Sequence, residues 1–308
     1  MSPKIICDVD TGGDDAVAIL TVGYSPHTEL VAVTVVAGNA PLEVTLENTL
    51  KVVEHGGLAH VPVYAGAAHP LVGELPPLDP TQERRLRLPA PTLRAQDKRA
   101  AEFLADYYLS EAGPGTILVP TAPLTNIALA LRLEPLIARR IPRIVTMGGA
   151  YIEGNTTPSA EFNIYADPEA AHIVYSEGIP ITMIGLEVTS QALITLEDAE
   201  RIRAFGTPQA RIAGDLIVEE VQWFIDNLGW HSGQVYDACA AIGAVAPSVI
   251  KTRPMHVAIE LTGTHTRGRT VADISGAHYG SLPPNVDVGV GIDHERFLQL
   301  LEEALSQG

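Results

Sequence analysis

The segment Asp8-Val9-Asp10-Thr11-Gly12-Gly13-Asp14-Asp15 places four carboxylates within eight residues near the N-terminus. The apolar run Lys4-Ile5-Ile6-Cys7 before it reads as a short buried strand, and Ala16-Val17-Ala18-Ile19-Leu20 after it opens a helix pattern. A turn between strand end and helix start faces the ligand crevice of an open α/β sheet. Like charges packed that closely are costly without a compensating cation, and carboxylate oxygens are the donors that hard divalent metals prefer. The two glycines let the backbone turn sharply and approach a ligand. The chemistry indicated is a metal site. Turn formation and helix capping account for one or two of these aspartates, but they do not account for four.

The elements that must position this turn alternate along the first 186 residues. Strand candidates are 5–8, 30–36, 61–65, 116–120, 143–147 and 181–184, with helical patterns at 43–55, 98–110, 124–133 and 168–177 between them. The strands are continuous Val/Ile/Leu runs, as expected when helices cover both faces of a sheet. A doubly wound, mostly parallel α/β fold follows. Residues 66–96 are rich in proline and lack periodicity, so they form a long loop of the kind that serves as a lid or a subunit contact. After residue 190 helices dominate, with 196–205 and 208–227 the clearest. Segments 255–261, 270–274 and 286–291 alternate like small antiparallel additions, and an amphipathic helix spans about 293–305. No linker separates two bodies, so residues 1–308 are expected to form one domain.

Composition narrows the function class. The chain has 308 residues, 46% of them hydrophobic, and a formal net charge of −17. That charge argues against nucleic acid or an anionic membrane as the main partner. The densest basic cluster, Arg84-Arg85-Leu86-Arg87, reads as a solvated face or an arm touching a neighbouring subunit. Cys7 and Cys239, far apart in apolar contexts, suit buried free thiols in a reducing compartment. A strand begins within four residues of Met1, which leaves no signal-peptide architecture, and no apolar run is long enough to span a bilayer. A cytoplasmic protein is expected.

Further polar residues fall where the strands should end: Asn39, Thr121, Met147 with Gly148-Gly149, then Asn155, Glu161 and Asn163; Asp237 opens a later helical stretch. With these motifs the chain resembles the inosine–uridine-preferring nucleoside hydrolases over nearly its whole length. The resemblance rests on Asp8 to Ala16, Val36-Ala37-Gly38-Asn39, Val119 to Asn126, and Met147-Gly148-Gly149-Ala150-Tyr151. It continues through Glu153-Gly154-Asn155, Ala160-Glu161-Phe162-Asn163, Asp167 to Ala171, Asp237 and Thr270-Val271-Ala272-Asp273.

The resemblance implies calcium-dependent hydrolysis of the N-glycosidic bond of a ribonucleoside, with inversion at C1′. It implies Ca²⁺ held by Asp10, Asp15, Asp237 and the backbone carbonyl of Thr121, a donor set that suits an oxygen-seeking cation. Asp10 is then the general base toward water. Asp14, Asn39, Met147, Asn155, Glu161, Asn163 and Asp237 line the ribose pocket, where amides and carboxylates match hydroxyls that both donate and accept. Asp8 is left as a structural member that hydrogen-bonds the turn. A homodimer or homotetramer is also implied.

Three positions depart from the family pattern. Thr11 stands where proline is frequent. Tyr236 stands where purine-cleaving members carry a histidine that protonates the departing base, and a phenol with a reference pKa near 10 is a weaker acid. No His-Gly motif occurs within 66–96. Trp223, Phe224 and His231 precede Tyr236 and are candidates for contact with the base. Two alternatives follow from the same residues. One is a ribose-binding homologue without catalysis; the other is a haloacid-dehalogenase-type phosphohydrolase, suggested by Asp8-Val9-Asp10 but opposed by Gly12 and by the Asp14-Asp15 pair that would repel phosphate.

Overall fold

The apolar runs of the first half form strands because each carries β-branched residues on both faces, and both faces are covered. The computed structural model describes residues 2–77, 85–278 and 282–307. Its strands are β1 (Lys4–Val9), β2 (Glu29–Val35), β3 (Val63–Ala65), β4 (Thr116–Pro120), β5 (Ile144–Met147), β6 (Ile181–Ile184), β7 (Leu193–Ile194), β8 (Gly233–Gln234), β9 (Ile250–Met255), β10 (Val257–Ile259), β11 (Thr270–Ala272) and β12 (Val286–Ile292). Its helices are α1 (Gly13–Tyr24), α2 (Leu42–His55), α3 (Ala100–Leu109), α4 (Thr125–Leu133), α5 (Phe162–Ala166), α6 (Pro168–Ser176), α7 (Leu186–Thr189), α8 (Leu196–Arg203), α9 (Pro208–Leu228), α10 (Tyr236–Val245) and α11 (His294–Leu305).

Eight strands form one sheet in the order β3-β2-β1-β4-β5-β6-β12-β9, with every pair parallel except β12 with β9. The chain winds outward from β1 through β2 to β3, then returns to place β4 on the other side of β1. This reversal opens a crevice at the carboxyl ends of β1 and β4, the usual ligand position in such sheets. The period-two alternation of β1 sorts its side chains. Ile5, Cys7 and Val9 face the apolar layer made by α1, α2, α9, α10 and α11, whereas Ile6 faces the layer of α3, α4 and α6.

The C-terminal third differs in part from the pattern expected. Val286–Ile292 is no peripheral hairpin strand; it extends the main sheet, parallel to β6 and antiparallel to β9. Strand β9 itself, Ile-Lys-Thr-Arg-Pro-Met, escapes hydrophobic patterning because it is the sheet edge. Its four central residues are exposed, and charges with a proline are what edge strands carry to resist further pairing. The antiparallel additions are the ribbons β10–β11 and β7–β8. Among the described residues no helix is long and apolar enough to cross a membrane, and Cys7 and Cys239 are free and buried.

Candidate active site

Asp10 leaves β1 one residue past its end, and α1 begins at Gly13, so the acidic turn sits over the crevice between β1 and β4. The Gly12 N–H donates to Asp15 Oδ2 at 3.0 Å, closing the first turn of α1. Just past the end of β4, the Thr121 N–H donates to the Asp8 carbonyl at 2.9 Å. The Thr121 hydroxyl donates to Asp15 Oδ1 at 2.7 Å. From α10, Asp237 completes a group of three carboxylates, Asp14, Asp15 and Asp237, whose oxygens lie within 4.8 Å of one another.

Burial raises the pKa values of all three, and the neighbouring charges add to it for Asp15 and Asp237. Burial, followed by the Asp14 charge, pushes Asp15 up to about 7. Burial and the charges of Asp14, Asp15 and Asp10 hold Asp237 well above the carboxylate range. Asp10 is raised well above its ordinary value by burial and then by Asp15. Its oxygens are engaged by Asn39, whose backbone N–H donates to Oδ2 at 2.6 Å and whose side-chain amide donates to Oδ1 at 3.3 Å. The tight contact explains Gly38, since a Cβ there would overlap the Asp10 carboxylate. Asp10 therefore lies beside the three-carboxylate group, not within it, and Asp14, expected on the ribose, is within it.

Asp8 does not bond the turn. Alternation along β1 points it to the opposite face from Cys7 and Val9. There its Oδ1 accepts from the Thr34 hydroxyl and from the Asn126 amide at 2.8 Å. Asn126 also donates to the Val35 carbonyl at 3.1 Å and accepts from the Ala67 N–H at 2.9 Å. This one amide ties β1, β2 and the start of α4 under the site.

A cavity of about 740 Å³ opens above the carboxylates. Asp14, Asn39, Thr121, Met147, Asn155, Glu161, Asn163, Tyr236 and Asp237 all lie on its wall, together with Trp223 and Phe224. The sequence-predicted ribose residues thus converge, including Asp237 from the distant helix. Glu161 caps α5: its carboxylate accepts from the N–H groups of Gly149 and Asn163 at 2.8 Å and Ile164 at 3.2 Å. Burial still raises its pKa. Gly149 (φ +87°) makes this approach possible, since a side chain there would be strained and a Cβ would come within 2.9 Å of Thr270. The Asn163 amide donates to the carbonyls of Thr121 at 3.0 Å and Met147 at 3.2 Å. It thereby holds the ends of β4 and β5 together. His231 is the exception: it is exposed and is not on the cavity wall. It sits in the loop past the left-handed Gly229 that ends α9, which carries the chain outward.

Several wall residues were not expected from the sequence. Arg85, Leu86 and Arg87 line the mouth of the cavity, with both arginines exposed to solvent; Arg84, of the same cluster, lies outside the described residues. Lys51 and Asn48 on α2 pin this segment: Lys51 donates to the Leu86 carbonyl at 3.1 Å, and the Leu86 N–H donates to Asn48 at 3.0 Å. Asn48 also donates to the Thr11 carbonyl at 2.9 Å, so mouth and acidic turn share one support. Glu219 and Glu220 on α9 reach the wall as well. Helical spacing carried a signal for Glu220, because Leu216, Glu220 and Phe224 recur every fourth residue on one face. Burial, then the Asp14 charge, pushes Glu220 up to about 8. Burial and then Glu220 drive the Tyr236 phenol far up, so it stays protonated.

The chain is similar to known proteins over nearly its whole length. Residues 5–299 match the profile of the inosine-uridine preferring nucleoside hydrolases. The pyrimidine-specific ribonucleoside hydrolase RihB of Escherichia coli is 39% identical over 307 residues, covering 98% of this chain and 96% of that one. Among solved structures, a plant nucleoside hydrolase superposes with a TM-score of 0.91 at 27% identity over 100% of both chains. The purine-preferring ribonucleoside hydrolase from Gardnerella vaginalis does so with 0.89 at 32% identity over 98% of each. With its acidic turn at the β1/β4 crevice and the polar wall above it, the chain belongs to the inosine-uridine preferring nucleoside hydrolase family, enzymes that hydrolyse the N-glycosidic bond of ribonucleosides.

Proposed function

We propose that the chain hydrolyses ribonucleosides by attack of water at C1′ with Asp10 as the general base, assisted by a divalent cation, and that pyrimidine ribonucleosides are among its substrates. The observation that carries this reading is the buried carboxylate group at the switch point of the sheet. Its donors are hard oxygens, and none of them has a lysine or arginine partner among the described residues, so the set fits a cation such as calcium. Asp15 and Asp237 are its natural ligands, with Asp10, Asp14 and the Thr121 carbonyl completing the set or turning to the ribose. When bound, such an ion supplies Lewis acidity toward water and anchors sugar hydroxyls.

The protein's own residues account for the rest. Asn39 orients the Asp10 carboxylate, whose raised pKa suits a base that takes a proton from water at neutral pH. Asn155, Glu161 and Asn163 offer amide and carboxylate edges to the ribose. Surrounding carboxylates favour the positive charge that develops on the sugar as the base departs, and attack from the face opposite the base inverts C1′. The 39% identity to a relative named pyrimidine-specific, and Tyr236 in place of an imidazole acid, support pyrimidine substrates. The two small ribbons pack on α6 and α9, and the helices of the C-terminal third share the apolar layers of the main sheet, which supports one domain over 1–308. The buried free thiols suit a reducing cytoplasm, and the exposed Leu129, Leu133 and Leu136 suit assembly as a homodimer or homotetramer.

The test is a reducing-sugar assay on uridine, cytidine and p-nitrophenyl riboside, with calcium and with chelator. Asp10→Asn is expected to lower kcat by at least about a hundredfold while ribose still binds. A kcat near that of the wild type, or activity indifferent to chelation, contradicts the assignment. A ribose-binding homologue without catalysis would release no base from any of the three.

A further inference from the structure

Glu220 projects from α9 onto the cavity wall one turn before Phe224, and its carboxyl has no hydrogen bond or ion pair among the described residues. The other charged groups of this wall are engaged. Asp14 is hydrogen-bonded with Asp237, and Glu161 is held by backbone N–H groups. Arg87 lies 3.8 Å from Glu219, and Arg85 is 3.1 Å from Glu47 on α2. The same wall carries the aromatic faces of Trp223 and Phe224, the latter backed by Trp230 at 5.1 Å between ring centroids. Tyr236 stands on the same wall. An unpaired carboxyl next to aromatic faces is a place for positive charge, and a bound cation favours its ionised form.

We propose that Glu220, Phe224 and Tyr236 form a subsite for a base that already carries positive charge, so that the chain also hydrolyses N-ribosides of the 1-ribosylpyridinium class. The inference rests on the ribose and general-base assignments above. Water adds its oxygen to C1′ and gives one proton to Asp10, from which it passes to solvent. The C1′–N bond breaks and its electron pair stays on the ring nitrogen, which loses its charge. The products are ribose, a neutral pyridine and one proton. The leaving base needs no proton, which matches a site with tyrosine at position 236.

The experiment measures kcat/KM for 1-ribosyl-3-carbamoylpyridinium and for the uncharged p-nitrophenyl riboside, with calcium present, in wild type, Glu220→Gln and Glu220→Lys. The ratio of the two is expected to fall about tenfold in Glu220→Gln, the scale of one cation contact, and further in Glu220→Lys. A ratio unchanged within about twofold, or a wild type that cleaves p-nitrophenyl riboside but not the pyridinium, overturns the proposal. Failure on both substrates overturns the hydrolase assignment and this inference with it. A second measurement needs no variant: 1-methyl-3-carbamoylpyridinium is expected to inhibit the wild type about tenfold more tightly than neutral 3-carbamoylpyridine, and equal inhibition refutes the subsite.

Discussion

Removing the cation should make this protein lose stability as pH rises, opposite to the behaviour of most acidic side chains. The folded-state pKa of Asp15 is about 7 against an ordinary value of 3.8. The native state therefore binds the proton more tightly than the unfolded chain does, and stability falls as pH rises from the unfolded value through about 7. At about 1.4 kcal/mol per unit, the full shift is worth roughly 4 kcal/mol. Part of that is already gone at pH 5, and roughly 3 kcal/mol remains to be lost between pH 5 and pH 8. A cation that binds only the folded state compensates the charge and adds its binding free energy. The assay is urea unfolding at pH 5 and pH 8, with chelator and with millimolar calcium, in wild type and Asp15→Asn. The chelated wild type should lose stability by about 3 kcal/mol across this interval, calcium should flatten the dependence, and Asp15→Asn should show a smaller drop with chelator. Parallel curves with and without calcium, or a variant whose drop equals that of the wild type, would refute the reasoning.

Two further outcomes follow from the geometry around the crevice. Gly38→Ala places a methyl group against the Asp10 carboxylate; displacing a catalytic group by about 1 Å can cost about a hundredfold, so kcat on p-nitrophenyl riboside should fall at least about tenfold, and a value within twofold of wild type would show that the carboxylate has room to move. Asn126→Ala strips partners from Asp8, the Val35 carbonyl and the Ala67 N–H at once; with buried unsatisfied groups at about 1–3 kcal/mol each, chemical denaturation should show a loss of roughly 3 kcal/mol or more, and a loss below about 1 kcal/mol would mean that water replaces the amide.

Much of the site was legible because its residues lie at strand ends, where local sequence declares itself. The acidic turn follows an apolar run and precedes a helix pattern, and Asn39, Thr121 and Met147 each follow another run. In a doubly wound sheet all such positions share one crevice. Edge strand β9 was not legible, since lysine, threonine, arginine and proline on an exposed rim carry no hydrophobic period. Nor was the placement of Val286–Ile292 between β6 and β9, a pairing between distant segments that local alternation does not encode.

The four carboxylates at the N-terminus, the alternation of strands and helices, and the tyrosine before Asp237 are properties of the sequence alone. They determined a carboxylate-rich turn in a parallel α/β sheet and a tyrosine beside the late aspartate. Tertiary structure decided how the labour is divided. Strand alternation and the approach of α4 send Asp8 to Asn126, away from the turn. The descent of α10 onto the crevice brings Asp237 within reach of Asp14 and Asp15, more than two hundred residues away in sequence. The packing of α9 and of residues 85–87 over the mouth brings Glu220 and two arginines to one wall; helical spacing groups Glu220 with Phe224 but does not place that face on the cavity. Charge clustering is read from a list of residues, but whether those charges face one another, a hydrogen-bond donor or an open cavity depends on contacts between elements far apart in the chain.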